Sequence, residues 1–144
     1  GARTVIAVDL DGKSEIVVRV PTVRGSGLDP VTSGPYSIDW LPDGRLLVVS
    51  GRDRLLLRRE PDGSLVTHAN LAGLCDHPWN EIVVDGRGNA YLDSIGFDFP
   101  GGPIAPGVLG LVTAGGSVRR VADGLGFPNG LVVTPDDSTL IVAE

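Results

Sequence analysis

The sequence predicts an all-β protein, and two features of the chain carry this prediction. Short apolar runs alternate with turns rich in Asp and Gly, and a longer period overlies these hairpins. Asp suits turns because it bonds to its local backbone, and Gly takes positive φ at little steric cost. The 144 residues include 21 Gly and 11 Pro, which leaves little room for long helices.

Six turns of this kind occur along the chain. They are DLDGK at 9–13, LPDGR at 41–45, EPDGS at 60–64, VDGRGN at 84–89, TAGGS at 113–117 and TPDDS at 134–138. Paired strands on either side of six turns give about twelve strands. We expect them, each within about two residues, at 3–8, 14–20, 36–41, 45–50, 54–59, 64–69, 80–84, 89–94, 108–113, 117–122, 129–133 and 138–143. The runs at 82–84, 131–133 and 140–143 are continuously apolar, which predicts strands covered on both faces.

A second period groups the hairpins. Ser37, Asn80 and Asn129 each lie four residues before the last strand residue ahead of a turn. A proline closely precedes each of the three: Pro35, Pro78 and Pro128. A period of about 40 to 50 residues with four strands per period is typical of propeller blades, and it favours a propeller over a sandwich. The sequence therefore predicts a partial β-propeller, with about three blades' worth of four-stranded antiparallel sheets.

Net charge and hydropathy exclude several classes of partner. The net charge is −6, and a phosphate backbone needs a basic surface, so we expect no nucleic acid. No apolar run reaches the roughly 18 to 20 residues that span a bilayer, and no secretory signal pattern is present. We expect a cytoplasmic protein without membrane contact, unless a signal was lost by truncation. The single cysteine, Cys75, is expected as a small buried hydrophobe rather than a nucleophile.

Few side chains offer catalytic chemistry, and two asparagines are the most informative. HExxH, CxxC and Walker-type motifs are absent, His68 is expected on the surface and His77 in a loop. Asn80 and Asn129 share one repeat position ahead of an inner strand, so we expect them near each other at one end of a central channel. An Asn carbonyl oxygen suits Ca²⁺, but Asn also shapes turns, and the residues alone leave both interpretations open.

Two strings resemble the gluconolactonase/regucalcin (senescence marker protein) family: HPWNEIVVDGRGNAYL at 77–92 and GFPNGLVVTPDDSTLIVAE at 126–144. The string LPDGRLLVVSGRDRLLLRREPDGSLVTHANL at 41–71 is similar to it as well. The resemblance runs from about residue 5 to the end of the chain. It implies a six-bladed β-propeller and a divalent-metal-dependent hydrolase of lactones and related esters.

The resemblance also implies roles for single residues. Asn129 in FPNG matches the family's metal-binding Asn, and Asn80 in WNEIVVD matches the channel Asn that contacts metal-bound water or substrate. Glu81 stands where family members often have Asp. The family's two acidic ligands have no counterpart here, because the string SGP at 33–35 belongs to another blade and carries no anion. The implied cofactor is a divalent metal, with Ca²⁺ favoured over Zn²⁺ or Mg²⁺.

The implied function is that of a fragment of a lactonase, in which the cation polarises the lactone carbonyl and activates a water, and a carboxylate assists proton transfer. The catalytic residue is not identified. Two neutral amides alone should hold Ca²⁺ poorly, so we expect the isolated chain to be inactive. The alternatives are a non-catalytic propeller segment, or a related propeller of strictosidine-synthase-like or sugar-dehydrogenase-like type, because the PNG string occurs across that wider group.

The resemblance further divides the chain, treated as a single partial propeller domain over 1–144. It implies an outer half-blade at 1–24, full blades at about 35–70 and 79–123, and an inner half-blade at 128–144. The chain stops within the apolar string STLIVAE, and we expect a fragment. The expected partners are a small-molecule lactone and either a second chain or the missing half of the propeller. Only the missing half would restore the acidic ligands.

Overall fold

All secondary structure is β in the computed structural model, which describes residues 3–21 and 36–144. No helix able to cross a membrane occurs in these two ranges. The strands are β1 (Thr4–Val8), β2 (Ser14–Arg19), β3 (Ser37–Trp40), β4 (Leu46–Ser50), β5 (Leu55–Arg59), β6 (Leu65–Asn70), β7 (Ile82–Val84), β8 (Ala90–Ser94), β9 (Gly107–Val112), β10 (Val118–Leu125), β11 (Leu131–Val133) and β12 (Leu140–Val142). All twelve predicted strands are thereby confirmed.

β10 is the strand that departs most from its predicted bounds. It ends at Leu125, whereas the sequence predicted an end at residue 122. The pairing register between β10 and β9 shifts twice, between Arg120 and Ala122 and between Asp123 and Leu125. Each irregularity absorbs an extra residue, so β10 continues to pair with β9 as far as Gly107.

The strands form four antiparallel sheets, each in chain order. Two sheets have four strands, β3–β4–β5–β6 and β7–β8–β9–β10, and two have two strands, β1–β2 and β11–β12. The predicted four-stranded antiparallel sheets are confirmed. Hydrogen-bonded Asp/Gly turns join the strands, as in the β7–β8 turn, where Asp85 Oδ1 accepts from Arg87 N–H at 2.9 Å and from Asn89 N–H at 2.8 Å.

Two clusters of buried apolar side chains hold neighbouring sheets together. The larger core is formed by both four-stranded sheets, and the smaller core by the β1–β2 sheet and the first four-stranded sheet. Strand β4 serves both, because side chains alternate between the faces of a strand. Leu47 and Val49 enter the larger core, while Leu46 and Val48 enter the smaller one.

The strands covered on both faces are β4 and β9, in which every residue is buried. The continuous apolar runs at 82–84, 131–133 and 140–143 predicted this position for β7, β11 and β12 instead. That prediction is wrong for β11 and β12, where Val132 and Ile141 are each 53% exposed. Among the described strands, β11 contacts β7 on one side, and no further sheet follows β12.

Two aspartates connect adjacent sheets, one between first strands and one between the turns that follow them. Asp39 Oδ2 on β3 accepts a hydrogen bond from the N–H of Val84 on β7 at 2.7 Å. Asp137 Oδ1, in the β11–β12 turn, accepts one from the N–H of Gly86 at 2.9 Å. A hydrogen bond to a charged group contributes about 1.5–3 kcal/mol. These bonds keep β3, β7 and β11 next to one another.

His68 on β6 is half-buried. The sequence predicted a surface position for it, and this prediction is wrong. Its Nε2 atom is buried and the guanidinium of Arg58 lies at its Nδ1 atom, so the ring is covered at both nitrogens. The Nδ1 atom of His68 lies 3.1 Å from a terminal nitrogen of Arg58, which can donate to it only while Nδ1 is unprotonated. Burial lowers the pKa of His68, and the charges of Arg58 and Arg45 lower it further.

We expect Asp39→Ala to lower the free energy of unfolding by about 1–3 kcal/mol, because the N–H of Val84 loses its partner. Asp39→Asn keeps an acceptor oxygen and should cost less. Asp11→Ala is the control, since Asp11 is exposed. Denaturant unfolding followed by circular dichroism measures the three variants, and equal losses in Asp39→Ala and Asp11→Ala would contradict the role given to Asp39.

The lowered pKa of His68 predicts an acid-sensitive stability. The unfolded state binds a proton near pH 6.5 and the folded state only at lower pH, so this contribution is complete above about pH 6.5 and declines below it. His68→Gln cannot titrate and should show a flatter dependence between about pH 5 and pH 7. Unfolding midpoints of both proteins across this range test the prediction, which parallel curves would refute.

Candidate functional site

Asn80 and Asn129, the two predicted site residues, are brought into contact. The Nδ2 group of Asn80 donates to Oδ1 of Asn129 at 3.3 Å, although the residues lie 49 positions apart in sequence. Asn80 is half-buried and Asn129 is exposed. The expectation that the two side chains lie near each other is met.

Equivalent backbone pairing places the two asparagines. Asn80 N–H donates to the carbonyl of Asp93 at 2.8 Å, and Asn129 N–H donates to the carbonyl of Ala143 at 2.8 Å. In return, Asp93 N–H donates to Glu81 and Ala143 N–H to the residue after Asn129. The two side chains therefore leave their sheets at the same point of the repeat. Adjacent sheets direct them toward each other because β7 and β11 are neighbours.

A cavity of about 280 Å³ opens beside this asparagine pair. Its polar lining consists of Asn80, Asn129 and Arg52. The rest of its wall is apolar or backbone: Gly51, Pro78, Trp79, Ile95, Phe97, Phe99 and Phe127. Phe97 and Phe99 come from the loop at 96–107, which precedes most of β9.

Trp79 fixes one side of the cavity, and two glycines make room for it. Its side chain is 3% exposed and belongs to the larger core. A Cβ at Gly51 would overlap the carbonyl oxygen of Trp79, and a Cβ at Gly110 would lie 2.8 Å from its ring. The N–H of Trp79 also donates to the carbonyl of Gly51 at 3.2 Å. Because Asn80 follows Trp79 directly, this packing helps to set the position of Asn80.

Asp93 on β8 is a buried acidic residue that the sequence analysis missed. Its side chain is 0% exposed, Oδ1 accepts from the N–H of Glu81 at 3.1 Å, and Oδ2 has no partner among the described residues. Burial raises the pKa of Asp93 to about 6; the N–H of Glu81 and the side chain of Asn80 oppose this rise, and the charge of Glu81 adds to it.

The position of Asp93 links it to the site. It makes three hydrogen bonds to the segment that carries Asn80, two through its backbone and one through its carboxylate. Perturbed carboxylates concentrate at functional sites. The signal in the sequence was a charged residue inside the apolar strand AYLDS at 90–94, where an unpaired carboxylate is costly.

The remaining sequence candidates lie away from the cavity lining. His77 Nδ1 lies 3.7 Å from Asp98 Oδ1, and Cys75 packs against the larger core with its Sγ 3.4 Å from Ser94 Oγ. The string SGP at 33–35 lies outside the described residues. Within the described ranges, no three His, Cys, Asp or Glu side chains come together as a metal-binding group.

Solved structures with the same fold are β-propellers. A gluconolactonase from Xanthomonas campestris is 22% identical, with a TM-score of 0.72 over 99% of this chain and 48% of that chain. A virginiamycin B lyase from Staphylococcus aureus is 14% identical, with a TM-score of 0.56 over 72% of this chain and 32% of that one. At these identities the likeness establishes the fold, a partial β-propeller. The chain spans about half the length of the gluconolactonase.

Comparison with family models supplies the family. A search of curated proteins found no match. The model described as SMP-30/Gluconolactonase/LRE-like region matches residues 2–144, which is almost the whole chain. The chain therefore belongs to the SMP-30/gluconolactonase/LRE-like family.

Proposed function

We propose that the protein carrying this chain hydrolyses lactones or related esters with the help of a divalent cation, with Ca²⁺ favoured over Zn²⁺ and Mg²⁺. One observation carries the proposal: Asn80 and Asn129 meet at 3.3 Å beside a cavity of small-molecule size. Family membership supports a lactonase-type activity. In the reaction, the water oxygen bonds to the carbonyl carbon, the ring C–O bond breaks, and the ring oxygen takes a proton to give a hydroxy acid.

The donor groups suit calcium but do not complete a site. Amide oxygens are neutral hard ligands of the kind that Ca²⁺ accepts, and Asn129 and Asn80 would hold the ion. Ca²⁺ takes six to eight oxygen ligands, and its affinity rises with the charge of the ligand set. The described residues supply no acidic cluster at this point. We therefore infer that acidic ligands come from beyond the described residues and that the isolated chain is inactive.

A bound divalent cation would supply Lewis-acid catalysis at the lactone carbonyl. The chain's own residues hold the substrate. Asn80 is the substrate-binding residue in this proposal, because its amide lies on the cavity wall and can bond to an ester oxygen. Arg52 lines the same cavity and offers a cation for the carboxylate of the product. Asp93 acts as a positioning residue, since its hydrogen bonds hold the backbone of Asn80 and Glu81.

We expect Asn129→Ala in the full-length protein to reduce lactonase turnover by at least about tenfold, a loss of roughly 1.4 kcal/mol of stabilisation. Calcium affinity, measured by titration calorimetry, should fall as well. Asn70→Ala is the matched control, because Asn70 is exposed and its side chain, among the described residues, bonds to the local N–H of Ala72. Unchanged turnover together with unchanged metal content in Asn129→Ala would remove the proposal.

We also propose that strands of the remaining propeller half pack against this chain and complete its two-stranded sheets. Two strands alone are marginally stable. Apolar side chains on these sheets are about half exposed: Ile6 54%, Val8 58%, Ile16 51%, Val132 53% and Ile141 53%. A second copy would bring the strand number to 24, six blades of four, but would add no new kind of ligand.

Light scattering over a range of concentrations separates these arrangements. A chain of 15.0 kDa that requires its complementary half should aggregate or associate when purified alone. Addition of the complementary half should then give a defined one-to-one complex. A well-folded monomer at all concentrations would refute the proposal, and a stable dimer would identify a second copy as the partner.

A further inference from the structure

Three phenylalanine rings form a continuous aromatic wall beside the asparagine pair. The ring centroids of Phe97 and Phe99 are 6.4 Å apart, and Phe127 lies 5.7 Å from each of them. Within this wall the ring of Phe97 is buried, whereas Phe99 is 59% and Phe127 is 40% exposed. Edge-to-face contacts at these distances stabilise the cluster. The wall therefore presents apolar ring surface to whatever enters the cavity.

Phe127 is held in this wall against its own backbone preference. Its φ is 61°, in the left-handed region that bulky side chains rarely occupy. The neighbouring backbone enforces this conformation: Gly126 N–H donates to Glu144 Oε2 at 2.7 Å, and Asn129 N–H donates to Ala143 at 2.8 Å. Such strain costs on the order of 1–3 kcal/mol and concentrates at ligand sites. The strained residue directly precedes Pro128 and Asn129, so the ring and the amide are placed together.

Few of the described residues that line the cavity are polar. Asn80, Asn129 and Arg52 are its polar lining residues, and the two asparagines already bond to each other. A sugar lactone carries several hydroxyl groups, and each hydroxyl buried without a partner is penalised. The wall formed by Phe97, Phe99 and Phe127 offers these hydroxyls no partner. An aromatic or alkyl ring has no hydroxyl groups that would lose hydrogen bonds to water at this surface. Its contact with the rings removes apolar area from water.

We infer that the ligand of this cavity is a lactone or ester whose ring or acyl part is aromatic or apolar and lies against the wall of Phe97, Phe99 and Phe127. This inference rests on the proposed hydrolysis and specifies its substrate class. The volume of about 280 Å³ exceeds the roughly 150 Å³ of a dry protein cavity that binds benzene, so a bicyclic ring such as a benzo-fused lactone fits. The ester group lies toward Asn80 and Arg52, and the ring lies toward Phe99 and Phe127.

Binding of two non-hydrolysable rings to the full-length protein tests the ligand class independently of catalysis. Chroman is the benzo-fused ring without the lactone carbonyl, and 1,5-anhydroglucitol is the sugar ring without it. Calorimetry or ligand-observed NMR should show chroman binding at least about tenfold more tightly. Phe99→Ala should weaken chroman binding by roughly three- to tenfold and leave 1,5-anhydroglucitol unchanged. Ile104→Ala is the matched control, because Ile104 is 89% exposed on the same loop and does not line the cavity.

Hydrolysis of dihydrocoumarin and of glucono-1,5-lactone, measured separately, keeps the two hypotheses apart. If dihydrocoumarin is hydrolysed faster than glucono-1,5-lactone, the result supports both the proposed reaction and the apolar ligand class. Preference for 1,5-anhydroglucitol and glucono-1,5-lactone, or equal effects of Phe99→Ala and Ile104→Ala on chroman, overturns the ligand class while lactonase activity stands. Chroman binding that depends on Phe99, without hydrolysis of either lactone, refutes the proposed reaction and supports the apolar ligand.

Discussion

The packing of the two four-stranded sheets across their shared core is the interaction on which the rest of the structure depends. Leu47 and Val49 from one sheet and Leu92 from the other are fully buried there. A fully buried side chain of this size contributes about 1.5–3 kcal/mol. This packing sets the distance between β3 and β7, and the bond from Val84 N–H to Asp39 then becomes geometrically available. Without this packing, the strands would still form their hairpins, but the sheets would not come together around a common site.

The cavity depends on the same core through Trp79. Its ring fills space in the larger core, while its backbone leads directly into Asn80. The absence of side chains at Gly51 and Gly110 lets the ring and the chain approach closely. A residue that is part of the apolar interior thus holds a residue that faces the cavity. Side chains placed in this way lose less entropy on binding than side chains on a mobile loop.

The two sheets that carry Asn80 and Asn129 differ at one equivalent position beside the site. The pairing around Asn80 and the pairing around Asn129 are the same, yet Asp93 in one sheet is replaced by Ala143 in the next. Burial raises the pKa of the Asp93 carboxyl to about 6, and its Oδ2 atom has no partner among the described residues, whereas a methyl group at residue 143 carries no such cost. The repeat supplies the same backbone pairing in both sheets, and Asp93 is a departure from it directly beside Asn80.

The sequence by itself determined the strands, because each is bounded by Asp/Gly turns whose preferences are local. It also determined which residues share a position in the repeat, and so selected Asn80 and Asn129. Tertiary structure alone decided which faces are covered: the apolar run at 131–133 leaves Val132 half exposed, whereas every residue of β4 is buried between two sheets. The role of Asp93 and the wall of Phe97, Phe99 and Phe127 also depend on tertiary structure. These groups come from separate loops and strands, and their contacts follow from how sheets pack, which no local pattern encodes.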